Sequence, residues 1–187
     1  MSRTMLIGRS AVLLLSLLAG AVVSAQPRNE FETVGGLTIT RNYSGKEIVS
    51  MLGEPDTVTM EAYIYYHYSM VPRHTSERGP LPEEEVLTDS FGFTSYPGGV
   101  FNSYFIYTDR YAFTHPSVPG VSVRVGDPIS KVRAFPGTFH DNRYGDGKGE
   151  LYWCPEGFPE KQVDWMMYPY FCYDSKGIIT SIEHYYD

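Results

Sequence analysis

Gly36-Leu37-Thr38-Ile39 and Gly120-Val121-Ser122-Val123 are one short phrase written twice, position for position, at a constant offset. Carried forward without a gap, the same offset sets Ile48 over Val132, Met51 over Phe135 and Gly53 over Gly137. An internal repeat decides how the rest of the chain is divided, so it is read first. Each copy reads as a short strand, a turn, and a short amphipathic helix ended by glycine.

The helix physics holds in both copies. Ser44-Gly45-Lys46-Glu47 has the spacing of a capping box, in which Ser44 accepts from the Glu47 amide and Glu47 reaches back. Ile48, Met51 and Leu52 then recur on one face. Gly53 and Pro55 stop the helix. In the second copy Asp127 is the expected cap, with Pro128 at the first helical position, where its missing N–H costs nothing. Ile129, Val132 and Phe135 form the apolar face before Pro136-Gly137. Helices of about two turns are too short to be stable alone. They must pack on a sheet.

Strands are plentiful. Ala62–Tyr68 follows the first helix, and Tyr104–Tyr107 and Tyr111–Thr114 flank an expected hairpin turn at Thr108-Asp109-Arg110. In the second half, Glu150–Trp153 follows the helix. Tyr170–Tyr173 and Ile178–Ile182 surround the turn Asp174-Ser175-Lys176-Gly177. Arg73 to Asp89 and Asp141 to Gly149 read as solvent loops. The expected fold is therefore α+β: two similar halves, residues 26–115 and 116–187, each a short helix packed on a small antiparallel sheet.

The run Ser44-Gly45-Lys46-Glu47-Ile48-Val49-Ser50-Met51-Leu52-Gly53-Glu54-Pro55 resembles the short helix, Leu-Gly-x-Pro, strand pattern of the SmpA/OmlA-type outer-membrane assembly lipoproteins. Tandem copies of a similar unit make up the β-lactamase-inhibitor-protein-like fold. The resemblance covers residues 36–70 well and 120–155 loosely. It departs from the pattern in lacking a lipobox Cys and in carrying Pro136 where the first copy has Leu52. What it implies is that tandem fold and a habit of binding other proteins in the cell envelope.

The N-terminus reads as a cleavable signal peptide over residues 1–25. Arg3 and Arg9 supply a positive start, Ala11 to Leu18 an apolar stretch too short to span a bilayer, and Val23-Ser24-Ala25 a small-x-small cleavage site. The expectation is an exported bacterial protein, periplasmic or extracellular, soluble and without a membrane anchor after cleavage. The formal charge is −7, and losing two arginines with the signal makes it more acidic. A net acidic chain with no Lys/Arg cluster argues against nucleic acid and anionic membranes as partners. In an oxidising compartment the two cysteines, Cys154 and Cys172, are expected to form a disulfide. In the chain-entropy model that bridge is worth about 3 kcal/mol.

No catalytic motif stands out. The histidines are His67, His74, His115, His140 and His184, and none has metal-ligand spacing. His140-Asp141 are neighbours in the chain, which rarely face one another. Asp141 to Glu150 invites a calcium-loop reading, but Arg143 and Gly145 stand where ligands belong. Glu83-Glu84-Glu85 reads as a solvated acidic run. No catalytic residue, metal or cofactor is expected.

The binding residues singled out are Tyr63, Tyr65 and His67. They alternate with Ile64, Tyr66 and Tyr68, so they share one face of their strand. If Ile64 marks the core, these three form an outward aromatic strip, a surface that suits protein partners or sugar rings. Cover by a second layer of the fold is the equal alternative. The function expected is non-enzymatic: a protein-binding or envelope-associated module. A secreted carbohydrate-binding module, or a hydrolase with a dispersed site, is the alternative.

Overall fold

A computed structural model describes residues 33–72, 86–95, 99–115, 118, 120–156 and 168–185. In chain order the elements are β1 (Thr33–Val34), β2 (Leu37–Thr38), α1 (Gly45–Leu52), β3 (Thr57–Met60), β4 (Tyr63–Pro72), β5 (Val86–Thr94) and β6 (Phe101–Ile106). There follow β7 (Phe113–Thr114), β8 (Ser122–Val123), a 3-10 helix (Ile129–Ala134), β9 (Thr138–Arg143), β10 (Gly149–Cys154), β11 (Tyr170–Tyr173) and β12 (Ile179–Tyr185). The signal segment and the acidic run Glu83-Glu84-Glu85 lie outside the described residues, as does His74. No helix among the described residues is long and apolar enough to cross a membrane.

The expected α+β class is overturned: the protein is mostly β. The strands form an eight-stranded sheet, ordered β3-β4-β5-β6-β12-β11-β10-β9, and a four-stranded sheet, ordered β2-β1-β7-β8. Every pairing is antiparallel. The two halves are not separate helix-on-sheet units. β6 and β12 pair at the middle of the large sheet, with Ile106 opposite Ile182 and Tyr104 opposite His184. β1 and β7 pair at the middle of the small one. The physical reason is edge satisfaction: two four-stranded sheets would leave four open edges of unpaired N–H and C=O groups, and joining them removes two.

Helix α1 forms as its sequence dictates. The Glu47 amide donates to Ser44 Oγ (3.3 Å), and the Ser44 amide donates to the Glu47 carboxylate (2.7 Å). Gly53 ends it at φ 91°, donating to the Val49 carbonyl (2.8 Å). The Leu52 carbonyl at the same end accepts from Arg110 Nη2 (3.1 Å) and Tyr111 Oη (3.3 Å). The second helix departs from expectation. Pro128, not Asp127, is its N-cap, and it is 3-10 rather than α. Its first amide, on Ile129, donates to the Gly177 carbonyl in the β11–β12 turn (2.8 Å), so no side-chain cap is required.

The expected hairpin between Tyr104–Tyr107 and Tyr111–Thr114 does not form. Asp89 is fully buried on β5, and its carboxylate accepts from the amides of Tyr107 (2.7 Å) and Thr108 (3.0 Å) and from the Thr108 hydroxyl. That carboxylate ends the β6 ladder, and Phe113–Thr114 crosses to pair with β1 and β8. Burial pushes the Asp89 carboxyl above its ordinary range against these three bonds. Both expected loops give up residues to strands, and 73–85 of the first lie outside the described residues. Val86 to Asp89 belongs to β5, and Asp141 to Arg143 belongs to β9, an edge strand with too little apolar alternation to announce itself.

The core lies on the inner face of the eight-stranded sheet, beneath α1, the 3-10 helix and the small sheet. Phe113 on β7 meets Phe171 (5.1 Å), Phe135 (5.5 Å) and Trp153 (5.8 Å) edge to face. Phe91 meets Tyr111 at 4.9 Å, and Phe101 tilts against Phe93 and Tyr104. Pairs of this geometry contribute about 0.5–1.5 kcal/mol each beyond the area they bury. Ile48 and Leu52 of α1 complete the layer.

Asp89→Ala strips two backbone amides of their acceptor and is expected to lower the unfolding free energy by about 2–4 kcal/mol. Thr108→Val, which removes one hydroxyl donor, costs about 1 kcal/mol. Urea denaturation with an unchanged slope measures both. A loss for Asp89→Ala no larger than for Thr108→Val would contradict the role given to the carboxylate.

Candidate functional site

Because side chains directly opposite one another in a sheet share a face, the registers assemble the outer surface row by row. One row crosses all eight strands: Thr57, His67, Ser90, Phe105, Glu183, Tyr170, Tyr152 and His140. A second runs Thr59, Tyr65, Gly92, Ser103 and Tyr185 over the first five. A third, over the last four, is Ser181, Cys172, Glu150 and Asn142. The alternate residues, among them Phe91, Tyr104, Ile182, Phe171 and Leu151, are buried on the inner face.

Tyr63, Tyr65 and His67 lie on this outer face, each half-buried, while Tyr68 is buried on the other side and Tyr66 packs against the core. Tyr63 meets Tyr65 edge on (6.3 Å), and Tyr65 stacks on His67 (6.1 Å). The strip continues into the second half of the chain, where Tyr185 meets Tyr63 (6.2 Å). Gly92 has a spatial reason to be glycine. A Cβ there would stand 2.6 Å from Tyr65 Cε1, so its absence lets the Tyr65 ring lie flat across the sheet.

His67 is held by hydroxyls on both sides: Nε2 by Thr59 (2.9 Å) and Nδ1 by Ser90 (2.8 Å) and Thr88 (3.3 Å). Burial lowers its pKa from the ordinary histidine range. A Ser–His contact at 2.8 Å invites a hydrolase reading, but no carboxylate among the described residues orients the ring, and Asp89 faces the opposite side of the sheet. The arrangement fixes an aromatic ring; it does not make a triad.

His140 and Asp141 are on opposite faces. Asp141 points inward to Tyr173 Oη (2.6 Å), Arg133 (2.8 Å) and Arg143 (2.9 Å). Burial opposes ionisation of its carboxyl, yet the Tyr173 and Arg143 bonds prevail and hold it below the usual carboxylate range. His115 and His184 are buried against rings, beside Trp153 and Tyr104 respectively. The calcium-loop stretch is a hairpin turn whose Asp146 is taken by Lys148 (3.0 Å). Among the described residues no cluster of three His, Cys, Asp or Glu is placed to hold a metal ion.

The expected disulfide is absent. Cys172 sits opposite Glu150 in the β10·β11 ladder, so Cys154 is four residues further along β10. At about 3.4 Å per residue that exceeds the span of roughly 4.4–6.8 Å between Cα atoms that a bridge allows. Both thiols are free, Cys154 buried and Cys172 half-buried. Burial pushes the Cys172 thiol up to about 11, with the Glu183 and Glu150 carboxylates adding to it.

The sequence reading missed Tyr152, Tyr170, Tyr185, Glu150 and Glu183. Tyr152 and Tyr170 stack at 5.1 Å with ring planes 28° apart. The Tyr170 hydroxyl donates to Glu183 (2.6 Å), Ser181 donates to the other Glu183 oxygen (2.6 Å), and Tyr152 donates to Glu150 (3.0 Å). The signal that marks them is alternation. In Glu150-Leu151-Tyr152-Trp153 and Ser181-Ile182-Glu183-His184-Tyr185, the second and fourth residues are fully buried, which turns the others outward.

With a thiol pKa near 11, Cys172 is about a thousandth ionised at pH 8, against a quarter for an ordinary cysteine. Iodoacetamide labelling of the non-reduced native protein is expected to be slow at pH 8. Labelling in denaturant without reductant should modify both cysteines. A mass showing both cysteines blocked as a bridge would contradict the ladder register.

No family model matches the chain, and neither the curated proteins nor the solved structures contain a match.

Proposed function

We propose that this chain is an exported, non-enzymatic protein-binding module that docks its partner on the outer face of the eight-stranded sheet. The observation that carries this reading is the set of partly exposed rings that one outer face gathers from both halves of the sheet: the cluster Tyr63, Tyr65, His67 and Tyr185, the stacked pair Tyr152 and Tyr170, and Phe105 in the row between them. Tyrosine supplies large contact area at low entropic cost, and rings held by neighbouring rings lose little more freedom on docking.

Size favours a macromolecule. Three outward rows of eight, five and four residues, each residue covering about 4.8 Å by 6.8 Å, offer an area on the order of 550 Å². A standard protein interface takes about 800 Å² from each partner, far more than a single sugar ring covers. Export rests on the N-terminal segment, with its positive start, apolar stretch and Val23-Ser24-Ala25 site. The envelope-assembly resemblance of residues 44–55 points the same way.

A Tyr63→Ala/Tyr65→Ala variant is expected to lose at least about tenfold in capture of partner protein from envelope extracts, since buried aromatic anchors commonly carry 2 kcal/mol or more each. Near-ultraviolet circular dichroism and the melting transition confirm that the variant folds. Undiminished capture by a folded variant would overturn the proposal.

A further inference from the structure

We infer that the Tyr152/Tyr170 stack, bracketed by Glu150 and Glu183, is a receptor for an arginine side chain of the protein partner. This rests on the sheet-face reading above and names the chemistry of what docks there.

The first observation is an imbalance of charge. Across the eight strands the only lysine or arginine is Arg143. It falls at an inward register, opposite Gly149, and its guanidinium is already on Asp141 (2.9 Å). The strands carry four carboxylates. Asp89 and Asp141 face inward, and their partners are accounted for. Glu150 and Glu183 face outward among the tyrosines. Among the described residues no lysine or arginine is paired with either.

The second observation is that these carboxylates are held in place. Each oxygen of Glu183 accepts a hydroxyl, one from Tyr170 across the ladder and one from Ser181 on the same strand. Glu150 is held by Tyr152. Hydroxyl donors fix a carboxylate without neutralising it, and each oxygen keeps a second lone pair for a further donor. Both groups are half-buried, so their positions and partial desolvation are built in before any partner arrives.

From this follows a constraint on the partner. A protein that covers the tyrosines also strips the remaining water from Glu150 and Glu183. The desolvation penalty of a carboxylate buried in an interface without a cation would cancel the gain from the rings. The covering surface must therefore bring a cation. Arginine fits better than lysine. Its planar guanidinium stacks on aromatic rings, its fork matches a carboxylate, and its head is more weakly hydrated than an ammonium.

Selection of a random phage-displayed peptide library on the purified protein tests this. Recovered peptides are expected to be enriched in arginine. They should bind at least tenfold more weakly to a Glu150→Gln/Glu183→Gln variant, and a synthetic peptide should lose as much when its arginine is replaced by neutral citrulline. Glutamine keeps shape and hydrogen bonding at half-exposed positions, and an unchanged melting transition confirms the fold. Peptides that lose binding to the Tyr63→Ala/Tyr65→Ala or a Tyr152→Ala/Tyr170→Ala variant but show no arginine enrichment and ignore Glu→Gln would overturn the inference and leave the sheet-face reading standing. Peptides indifferent to all these variants, or no recovered binders, would overturn both.

Discussion

The pairing of β6 with β12 is the constraint on which the rest of the structure depends. Through Ile106·Ile182, Phe105·Glu183, Tyr104·His184 and Ser103·Tyr185, two successive meanders become one sheet. Each meander runs from an edge of the sheet to its centre, the first through β3–β6 and the second through β9–β12. Edge groups that would otherwise need water or a partner are consumed at the centre. Two edges remain. β9 carries Asp141 and Arg143, charges that discourage further pairing, whereas β3 is exposed along its whole length.

One sheet means two continuous faces, and the aromatic residues divide between them. Inward, Phe91, Phe93, Phe101, Tyr104, Phe113, Phe171 and Trp153 form a core closed by α1 and the small sheet. Outward, tyrosine predominates, with hydroxyls engaged by Glu150 and Glu183 and rings spread over Gly92 and the small serines Ser90, Ser103 and Ser181. The serines are nearly inaccessible because the rings beside them are large. A face built this way is partly dry and holds two carboxylates among its rings.

Local physics was legible in the sequence where a signal is local. The capping box at Ser44 and Glu47 and the Gly53 stop of α1 stand where their residue types place them. The alternation in Tyr63–Tyr68 correctly separates Tyr63, Tyr65 and His67 from Tyr68. What the sequence hid is long-range pairing. Nothing in Phe101–Ile106 says that its partner is Ile179–Tyr185, so each half reads as a short helix on a small sheet of its own. Similarly, a buried Asp89 gives no local sign that it will capture the amides at 107–108 and break an apparent hairpin. The cysteines misled for the same reason: compartment suggests a bridge, but only the β10·β11 register decides whether the sulfurs meet. Glu150 and Glu183 carry no local mark of their own; only the register sets them beside Tyr152 and Tyr170.

If the β6·β12 seam makes the two halves one cooperative body, native-state hydrogen exchange in low denaturant measures it most directly. Amides of the seam, together with those of β5 and β11 on either side, are expected to open only by global unfolding and to share one free energy and one denaturant slope. Distinct opening free energies for the strands before and after residue 115, with the seam amides exchanging at the lower value, would contradict a single sheet and with it the continuous outer face.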